Sequence, residues 1–156
     1  MIAPDLENTL VQVADVLSDA RAPWWIVGSA AMALHGIDPG EIGDVDVLMD
    51  AGDARALLPR LGLENAPRPD KRFRSEVFAR WEEPPLAVDF MGDFAVRQGA
   101  GWSAVEPVTR QQVSVGSTSV AVPALIGLRH LFERFGREKD RARIRLLDEA
   151  GRGPGR

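Results

Sequence analysis

The chain has 156 residues, of which 45% are hydrophobic and 27% charged, a composition typical of one globular domain. It contains no cysteine and only 2 histidines, which excludes disulfides, thiolate metal centres, a cysteine nucleophile and a three-histidine metal site. A bound metal would therefore be held mainly by oxygen. The formal net charge of -4 disfavours a nucleic-acid binder that relies on bulk positive charge, although a local basic groove stays open.

The first half of the chain alternates helical and strand-like segments. An apolar stripe with helical spacing follows Asp5, a suitable N-cap, and Asp53 is placed to cap a later helix. Gly28 and Ser29 lie between an apolar strand-like run and a short helical segment, so they form a tight turn. The predicted helices span 5–20, 28–36 and 53–61, and the predicted strands span 24–27 and 44–49.

The second half is richer in strands and ends in two helices. A turn at 82–85 separates two apolar runs, Gly116-Ser117 is the turn of a hairpin, and Pro123 suits the first turn of a helix. The predicted strands span 72–81, 86–91, 113–115 and 120–122, and the helices begin at 123 and 138. This order predicts an α+β fold, with a sheet covered largely on one face and C-terminal helices as a separate layer.

The chain divides into a core and a helical C-terminal part. We expect an α/β core over 1–122, C-terminal helices packed on it over 123–150, and a disordered tail over 151–156. No stretch approaches ~18 consecutive apolar residues, and the first ten residues include acids where a secretory signal would be basic. These features predict a cytoplasmic protein with no membrane association.

Three aspartates stand in strand-like apolar surroundings: Asp44, Asp46 and Asp89. Side chains at i and i+2 of a strand point to the same face, about 6.7 Å apart along the chain, so Asp44 and Asp46 can converge. An acid inside the apolar run around Asp89 needs a partner. Clustered carboxylates repel unless a pKa rises or a cation binds, and hard oxygen ligands favour Mg²⁺ or Mn²⁺. Two such ions ~3.5–4 Å apart would clamp the attacking and leaving oxygens of a phosphoryl or nucleotidyl transfer.

The turn at Gly28 and Ser29 complements these acids. An Asp-x-Asp tripeptide alone decides nothing, because about one is expected by chance in a chain of this composition. The context is more informative, since Ser29 begins a helix directly after a strand and both Asp44 and Asp46 lie on the next strand. The unpaired N–H groups and the positive dipole end of a helix N-terminus suit a polyphosphate.

The segments WWIVGSAAMALHG, GDVDVLMD and LAVDFM together resemble the minimal nucleotidyltransferases of the polymerase-β superfamily. The resemblance is to small bacterial stand-alone members related to antibiotic nucleotidyltransferases and toxin–antitoxin nucleotidyltransferases. The late segment VPALIGLRHLFERFGREKDRARIRLLDEA is similar to their C-terminal helices, where a Lys-Asp pair recurs. The resemblance covers residues 22–150 and implies a mixed β-sheet with flanking helices and a C-terminal helical pair.

The resemblance also implies roles for the candidate residues. Gly28 and Ser29 would contact the nucleotide phosphates. Asp44 and Asp46 would bind two metal ions, and Asp89 would complete the metal site and activate the acceptor hydroxyl. The implied cofactor is Mg²⁺ or Mn²⁺, and the implied substrate is an NTP, with ATP as the first choice.

The approach to the paired acids departs from the family pattern. Many relatives carry Ser or Thr just before these acids and an Arg a few residues earlier, whereas residues 39–43 here read PGEIG. Toxin-type relatives often carry another Asp three residues after the Lys-Asp pair, where this chain has Arg143. Other cations would have to hold the triphosphate, and the candidates are Arg72, Arg74, Arg129 and Lys139.

Each candidate residue also has a purely structural explanation. Gly28 and Ser29 would then only begin a helix. Asp44 would be a turn residue, Asp46 a solvent-facing strand residue, and Asp89 the partner of an arginine. Lys139 would be a solvated residue at a helix start, where a neighbouring acid is expected from the helix dipole. Lys139 is therefore a nucleotide-binding candidate that spacing alone does not decide.

Two functions fit the pattern. The first is a Mg²⁺-dependent nucleotidyltransferase that transfers an NMP from an NTP to a hydroxyl of a protein, a tRNA or a small molecule, with release of pyrophosphate. The net charge mildly disfavours an RNA acceptor, and a partner protein is an open option for completing the site. The alternative is a nucleotide-binding, antitoxin-like interaction module with weak or lost catalysis, which the missing Ser/Thr and Arg before Asp44 would explain.

Overall fold

The computed structural model describes residues 2–152. The helices are α1 Pro4–Val16, α2 Gly28–Leu34, α3 Ala51–Arg60, α4 Leu125–Phe135 and α5 Glu138–Gly151. The strands are β1 Trp25–Val27, β2 Asp44–Met49, β3 Phe73–Arg74, β4 Val77–Trp81, β5 Ala87–Gly92, β6 Ala95–Gln98, β7 Gly101–Ala104, β8 Gln111–Val115 and β9 Thr118–Val122.

A four-stranded sheet with the order β1-β2-β5-β4 forms the centre of the fold. The pair β2 and β5 is parallel and the other pairs are antiparallel, so the sheet is mixed. Side chains alternate along β2, where Val45 and Val47 are fully buried while Asp44 and Asp46 point to the opposite face. The predicted α+β class with a mixed sheet and flanking helices is confirmed.

Helices and the β8–β9 hairpin pack against this central sheet. The stripe of α1 is buried as predicted, with Leu10 and Val13 fully inaccessible, and α1 contacts the β8–β9 hairpin. Helix α3 lies on β4 and β5, and α4 and α5 contact each other at the C-terminal end. The third sheet has the order β3-β6-β7. Among residues 2–152, no helix combines the length and the apolar character that crossing a membrane requires.

Both predicted aspartate caps were wrong. Ala3 is the N-cap of α1 with Pro4 in the first helical turn, so Asp5 lies inside the helix. Helix α1 ends at Val16, four residues before the predicted end at residue 20, and the chain then turns toward α3. Asp50 caps α3 by accepting from the Asp53 N–H, and the Asp53 carboxylate instead accepts from the Ala22 N–H at 2.9 Å.

Three further elements differ from the prediction. The strand expected over 72–81 is divided, because β3 pairs with β6 whereas β4 pairs with β5. Strands β6 and β7 were missed, since these short segments carry no clear alternation. Pro123 precedes α4, whose first residue is Leu125, because the Ala124 N–H donates to Thr109 Oγ1 at 2.9 Å.

The C-terminal end is described up to Arg152. Helix α5 includes Gly151, so the tail predicted over 151–156 does not begin at its first residue. Residues 153–156 lie outside the described part of the chain. The division into a core over 1–122 and C-terminal helices over 123–150 stays a prediction.

Candidate active site

The register of the central sheet brings the three predicted aspartates together. The parallel pairing of β2 with β5 places Asp46 directly opposite Asp89, and Asp44 lies two residues earlier on the same face. One carboxylate oxygen from each aspartate lies within 4.8 Å of the other two. The convergence expected from their spacing is therefore present in the fold.

Arg80 on β4 contacts two of these aspartates. The antiparallel pairing of β4 with β5 places Arg80 opposite Asp89. Arg80 Nη1 donates to both Asp89 oxygens at 3.1 Å and to Asp44 Oδ2 at 3.3 Å. Its Nε lies 3.7 Å from exposed Glu82. The sequence had suggested an arginine partner for Asp89 without indicating which one.

The electrostatics of the site differ between the aspartates. Burial, together with the charges of Asp44 and Asp89, raises the pKa of Asp46 to about 7. Burial also raises the pKa of Asp89, although the Arg80 guanidinium opposes this effect. Within residues 2–152, Asp46 has no ion-pair partner, unlike Asp44 and Asp89. The negative charge around Asp46 is therefore only partly compensated by protein groups.

Gly28 brings the start of α2 against Asp46. Its φ of +68° lies in the left-handed region that favours glycine. A Cβ atom at this position would lie 3.0 Å from Asp46 Oδ2, so any side chain would press on the carboxylate. Ser29 follows in α2 and is half-buried, but it is not among the residues that line the cavity over the aspartates.

A cavity of about 320 Å³ opens over the three aspartates. Its aromatic side chains are Phe73, Phe78, Phe94 and Phe135. Its cationic side chains are Arg68, Arg74, Arg80, Arg137, Lys139 and Arg143. The predicted site residues Gly28, Asp44, Asp46, Asp89 and Lys139 thus face one space together with basic groups.

Only some of the predicted triphosphate-binding cations lie in this cavity. Arg74 and Lys139 line it. Arg72 instead donates to the Phe135 carbonyl oxygen at 3.0 Å. Arg129 is engaged with Asp148 and Glu133 on α5 and α4, so neither Arg72 nor Arg129 takes the predicted position.

Asp140 contacts the two arginines, Arg137 and Arg143, that line the cavity at the start of α5. It is fully buried, and its carboxylate accepts from the Arg137 Nε at 2.6 Å and from the Arg137 backbone N–H at 3.1 Å. Arg143 Nη1 lies 3.6 Å from the same carboxylate. The Arg137 guanidinium also lies 4.9 Å from the Phe73 ring centroid. Sequence reasoning had missed Arg137, although it directly precedes α5 and the Lys-Asp pair.

Comparisons of sequence give no relatives for this chain. No family model matches it, and no curated protein matches its sequence. Any assignment to a class of protein therefore depends on the fold and on the geometry of the site.

Comparison of structures does find similar folds. A provisionally assigned nucleotidyltransferase from Thermotoga maritima is 22% identical, with 96% of each chain covered and a TM-score of 0.76. The lincosamide antibiotic adenylyltransferase LnuA, bound to lincomycin, is 13% identical over 94% of this chain and 97% of its own, with a TM-score of 0.58. ANT(2'')-Ia in complex with adenylyl-2''-tobramycin is 14% identical over 92% of this chain and 88% of its own, with a TM-score of 0.56.

These similarities define the fold. The chain has the nucleotidyltransferase fold, as the sequence resemblance had indicated. Identities of this size establish the fold alone, so the activity of this particular chain is argued from its own residues.

Proposed function

We propose that the protein is a divalent-metal-dependent nucleotidyltransferase that transfers an NMP from an NTP to a hydroxyl acceptor and releases pyrophosphate. The observation that carries this proposal is the meeting of Asp44, Asp46 and Asp89 within 4.8 Å, beside Gly28 and in a cavity with basic walls. The adenylyltransferases among the similar structures support the same reaction type and favour ATP as the NTP. A cytoplasmic location is part of this proposal.

The aspartate cluster fits a hard divalent cation. Its donors are all carboxylate oxygens, which Mg²⁺ and Mn²⁺ prefer, and among the described residues none forms an ion pair with Asp46. Asp44, Asp46 and Asp89 would hold the ion or ions. When bound, such ions neutralise charge on the phosphates and on the leaving pyrophosphate.

The nucleotide would lie with its phosphates between α2 and α5. Gly28 and Ser29 begin α2, where backbone N–H groups point outward, and Gly28 leaves space beside Asp46. Lys139 and Arg143 line the same cavity, and their positive charges act to lower the pKa of Asp46. These cations would bind the triphosphate in place of the Arg that family members carry before the paired acids.

Asp89 would serve as the proton acceptor. Burial raises its pKa and the Arg80 guanidinium opposes this effect, so the Asp89 carboxylate is a stronger base than an ordinary aspartate. The acceptor oxygen would attack the α-phosphorus as its proton passes to Asp89. The bond from the α-phosphorus to the bridging oxygen would break, and that oxygen would leave on pyrophosphate.

One observation favours a second function. Arg80 already contacts Asp44 and Asp89, as a purely structural ion pair would. A nucleotide-binding, antitoxin-like module with weak or lost catalysis, acting with a partner protein, would retain such a pair.

Label transfer separates the two functions. The protein is incubated with Mg²⁺, each NTP labelled at the α-phosphate, and a mixture of hydroxyl acceptors that contains protein, tRNA and small-molecule alcohols, and transfer of label and pyrophosphate release are measured. We expect both in the parent and in Asp15→Asn, a control on exposed surface of α1, and neither in Asp46→Asn. NTP binding without turnover in the parent would support the binding module. Absence of both binding and turnover would overturn both functions.

A further inference from the structure

The segment between α3 and β4 contributes two cations to the cavity, Arg68 from its irregular part and Arg74 from β3, which we name the loop cations. The Arg68 guanidinium lies 4.7 Å from the Phe78 ring centroid, and that of Arg74 lies 4.8 Å from the Trp102 centroid. Both side chains line the cavity, and within residues 2–152 neither forms an ion pair with a carboxylate. An aromatic face stabilises a guanidinium and leaves its N–H edge free for another ligand.

Arg68 lies on the Asp89 side of the cavity, and Arg74 lines the same cavity from β3. On β4, Phe78 and Arg80 share one face, opposite Met91 and Asp89 of β5, so the cavity continues from Asp89 toward Phe78. Arg68 lies over Phe78, and the sheet order β1-β2-β5-β4 places β4 on the opposite side of Asp89 from Asp46.

Gly28 lies on the other side of the aspartate cluster, where it adjoins Asp46, and the α5 cations Lys139 and Arg143 line the same cavity. If Gly28 and the α5 cations hold the nucleotide phosphates, as the proposed function states, then Arg68 faces the acceptor.

Few acids oppose the loop cations. Apart from the aspartate cluster, Asp70 is the one carboxylate among the described residues that line the cavity. Its Oδ1 accepts from the Arg72 and Phe73 N–H groups at 2.7 and 3.0 Å, and these bonds lower its pKa. The cavity as a whole therefore has six cationic side chains against four carboxylates, a surplus of positive charge. An acceptor rich in ammonium groups would be repelled there.

We propose that the acceptor carries a phosphate group close to its reacting hydroxyl, and that Arg68 and Arg74 bind this phosphate. Guanidinium groups form charge-assisted, often bidentate, hydrogen bonds with phosphate. This inference rests on the proposed function and narrows its acceptor to a phosphate-bearing alcohol. A polycationic aminoglycoside, as in the tobramycin complex of ANT(2'')-Ia, does not fit this wall.

Calorimetric binding in the absence of turnover tests the proposal. The intact protein is saturated with Mg²⁺ and a non-hydrolysable ATP analogue and then titrated with ribose 5-phosphate, a short oligoribonucleotide or tobramycin. We expect at least one phosphate compound to bind more tightly than tobramycin. Arg68→Gln and Arg74→Gln should each weaken this binding about tenfold, the effect of one lost charge-assisted contact.

Arg97→Gln is the matched control. Arg97 also lies over Trp102, at 5.5 Å, but it does not line the cavity, so its removal should change the affinity by less than about twofold. Binding of ribose 5-phosphate would identify a small acceptor, and binding of the oligoribonucleotide alone would identify an RNA end. Both results support phosphate recognition.

Three results would overturn the proposal. These are tighter binding of tobramycin, unchanged affinity in both loop variants, and no binding of either phosphate compound. Failure of the proposed function is a different result, because it would appear as absent pyrophosphate release with every NTP. The calorimetric titration involves no turnover, so the two failures are distinguishable.

Discussion

Arg80 and Asp89 occupy directly paired positions on β4 and β5, and Arg80 Nη1 lies 3.1 Å from both oxygens of the Asp89 carboxylate. The same nitrogen lies 3.3 Å from Asp44 Oδ2. A divalent ion in the cluster would need lone pairs of these same oxygens. Arg80 therefore competes with the ion for Asp44 and Asp89 but leaves Asp46 free.

Replacing Arg80 with glutamine should strengthen metal binding in the absence of nucleotide. Loss of the competing guanidinium should raise the affinity for Mn²⁺ about tenfold, equivalent to one charged contact. The metal-free variant should also melt at a lower temperature, because Asp89 is buried and loses its counter-charge. Titration followed by the electron paramagnetic resonance signal of free Mn²⁺, together with thermal melts, measures both effects.

Glu82→Gln is the control for this variant. Glu82 is exposed and contacts only the Nε of Arg80, at 3.7 Å, so the change should alter Mn²⁺ affinity by less than about twofold. Equal Mn²⁺ affinities in the parent and Arg80→Gln would show that the guanidinium does not compete.

Mg²⁺ should stabilise the parent protein against unfolding. A ligand that binds only the native state adds about 2.7 kcal/mol at a hundredfold excess over its Kd, which corresponds to a rise in Tm of roughly 5–10 °C for a chain of this size. Asp46→Asn should abolish the rise, because it removes the carboxylate that no arginine covers. Asp15→Asn should retain it. A Mg²⁺-dependent rise that persists in Asp46→Asn would contradict the assignment of this metal ligand.

The stability of the metal-free protein should fall as the pH rises. Asp46 has a pKa of about 7 in the folded state against the usual aspartate value of 3.8, so the native state retains a proton that the unfolded chain loses. The stabilisation from this protonation is complete below about pH 4 and is lost as the pH rises through about 7. Asp89 acts in the same direction.

The comparison between parent and Asp46→Asn isolates this effect from other titrating groups. In the presence of EDTA, the variant should gain Tm relative to the parent as the pH rises from 5 to about 8, since an amide carries no charge. A constant difference in Tm across this range would show that Asp46 titrates normally.

Local patterns were sufficient to predict part of the acidic cluster. The i and i+2 spacing places Asp44 and Asp46 on one face of any strand, and the apolar run around Asp89 predicts a buried strand, whereas only the family resemblance implied that Asp89 joins the pair. The Gly28-Ser29 turn after a strand was equally local. These features depend on a few consecutive residues, so the sequence was informative about them.

The basic part depends on long-range contacts that sequence spacing does not encode. Arg80 reaches Asp89 only because β4 pairs with β5 in one particular register. Arg68 lies on an irregular loop, and Arg137 reaches the cavity because Asp140 binds its side chain at the start of α5. The N-cap of α3 was assigned to Asp53 instead of Asp50 for a different reason, because two aspartates suitable as caps lie within one helical turn.

Alanine at Gly28 should disturb Asp46 as well as the backbone. A positive φ disfavours alanine by about 1–2 kcal/mol, and the added Cβ would lie 3.0 Å from Asp46 Oδ2. Gly36→Ala is the matched control, because Gly36 has a φ of +80° with no atom within 4 Å of the added Cβ. Both variants should lose similar stability, but only Gly28→Ala should reduce the Mg²⁺-dependent rise in Tm. Equal rises in both would show that Gly28 is required only for its turn.

Replacing Asp140 with asparagine should destabilise the protein and free the cavity-lining side chains that Asp140 holds at α5. The carboxylate is fully buried and binds Arg137 through three hydrogen bonds, with Arg143 at 3.6 Å, so its loss leaves two cations without their shared counter-charge. Breaking such a pair destabilises a protein by about 3 kcal/mol, and the freed side chains should also weaken nucleotide binding. Asp148→Asn removes a half-buried ion pair with Arg129, away from the cavity, and should change neither property appreciably. Thermal melts and NTP titrations of both variants measure the contrast, and unchanged NTP affinity in Asp140→Asn would limit Asp140 to a purely structural role.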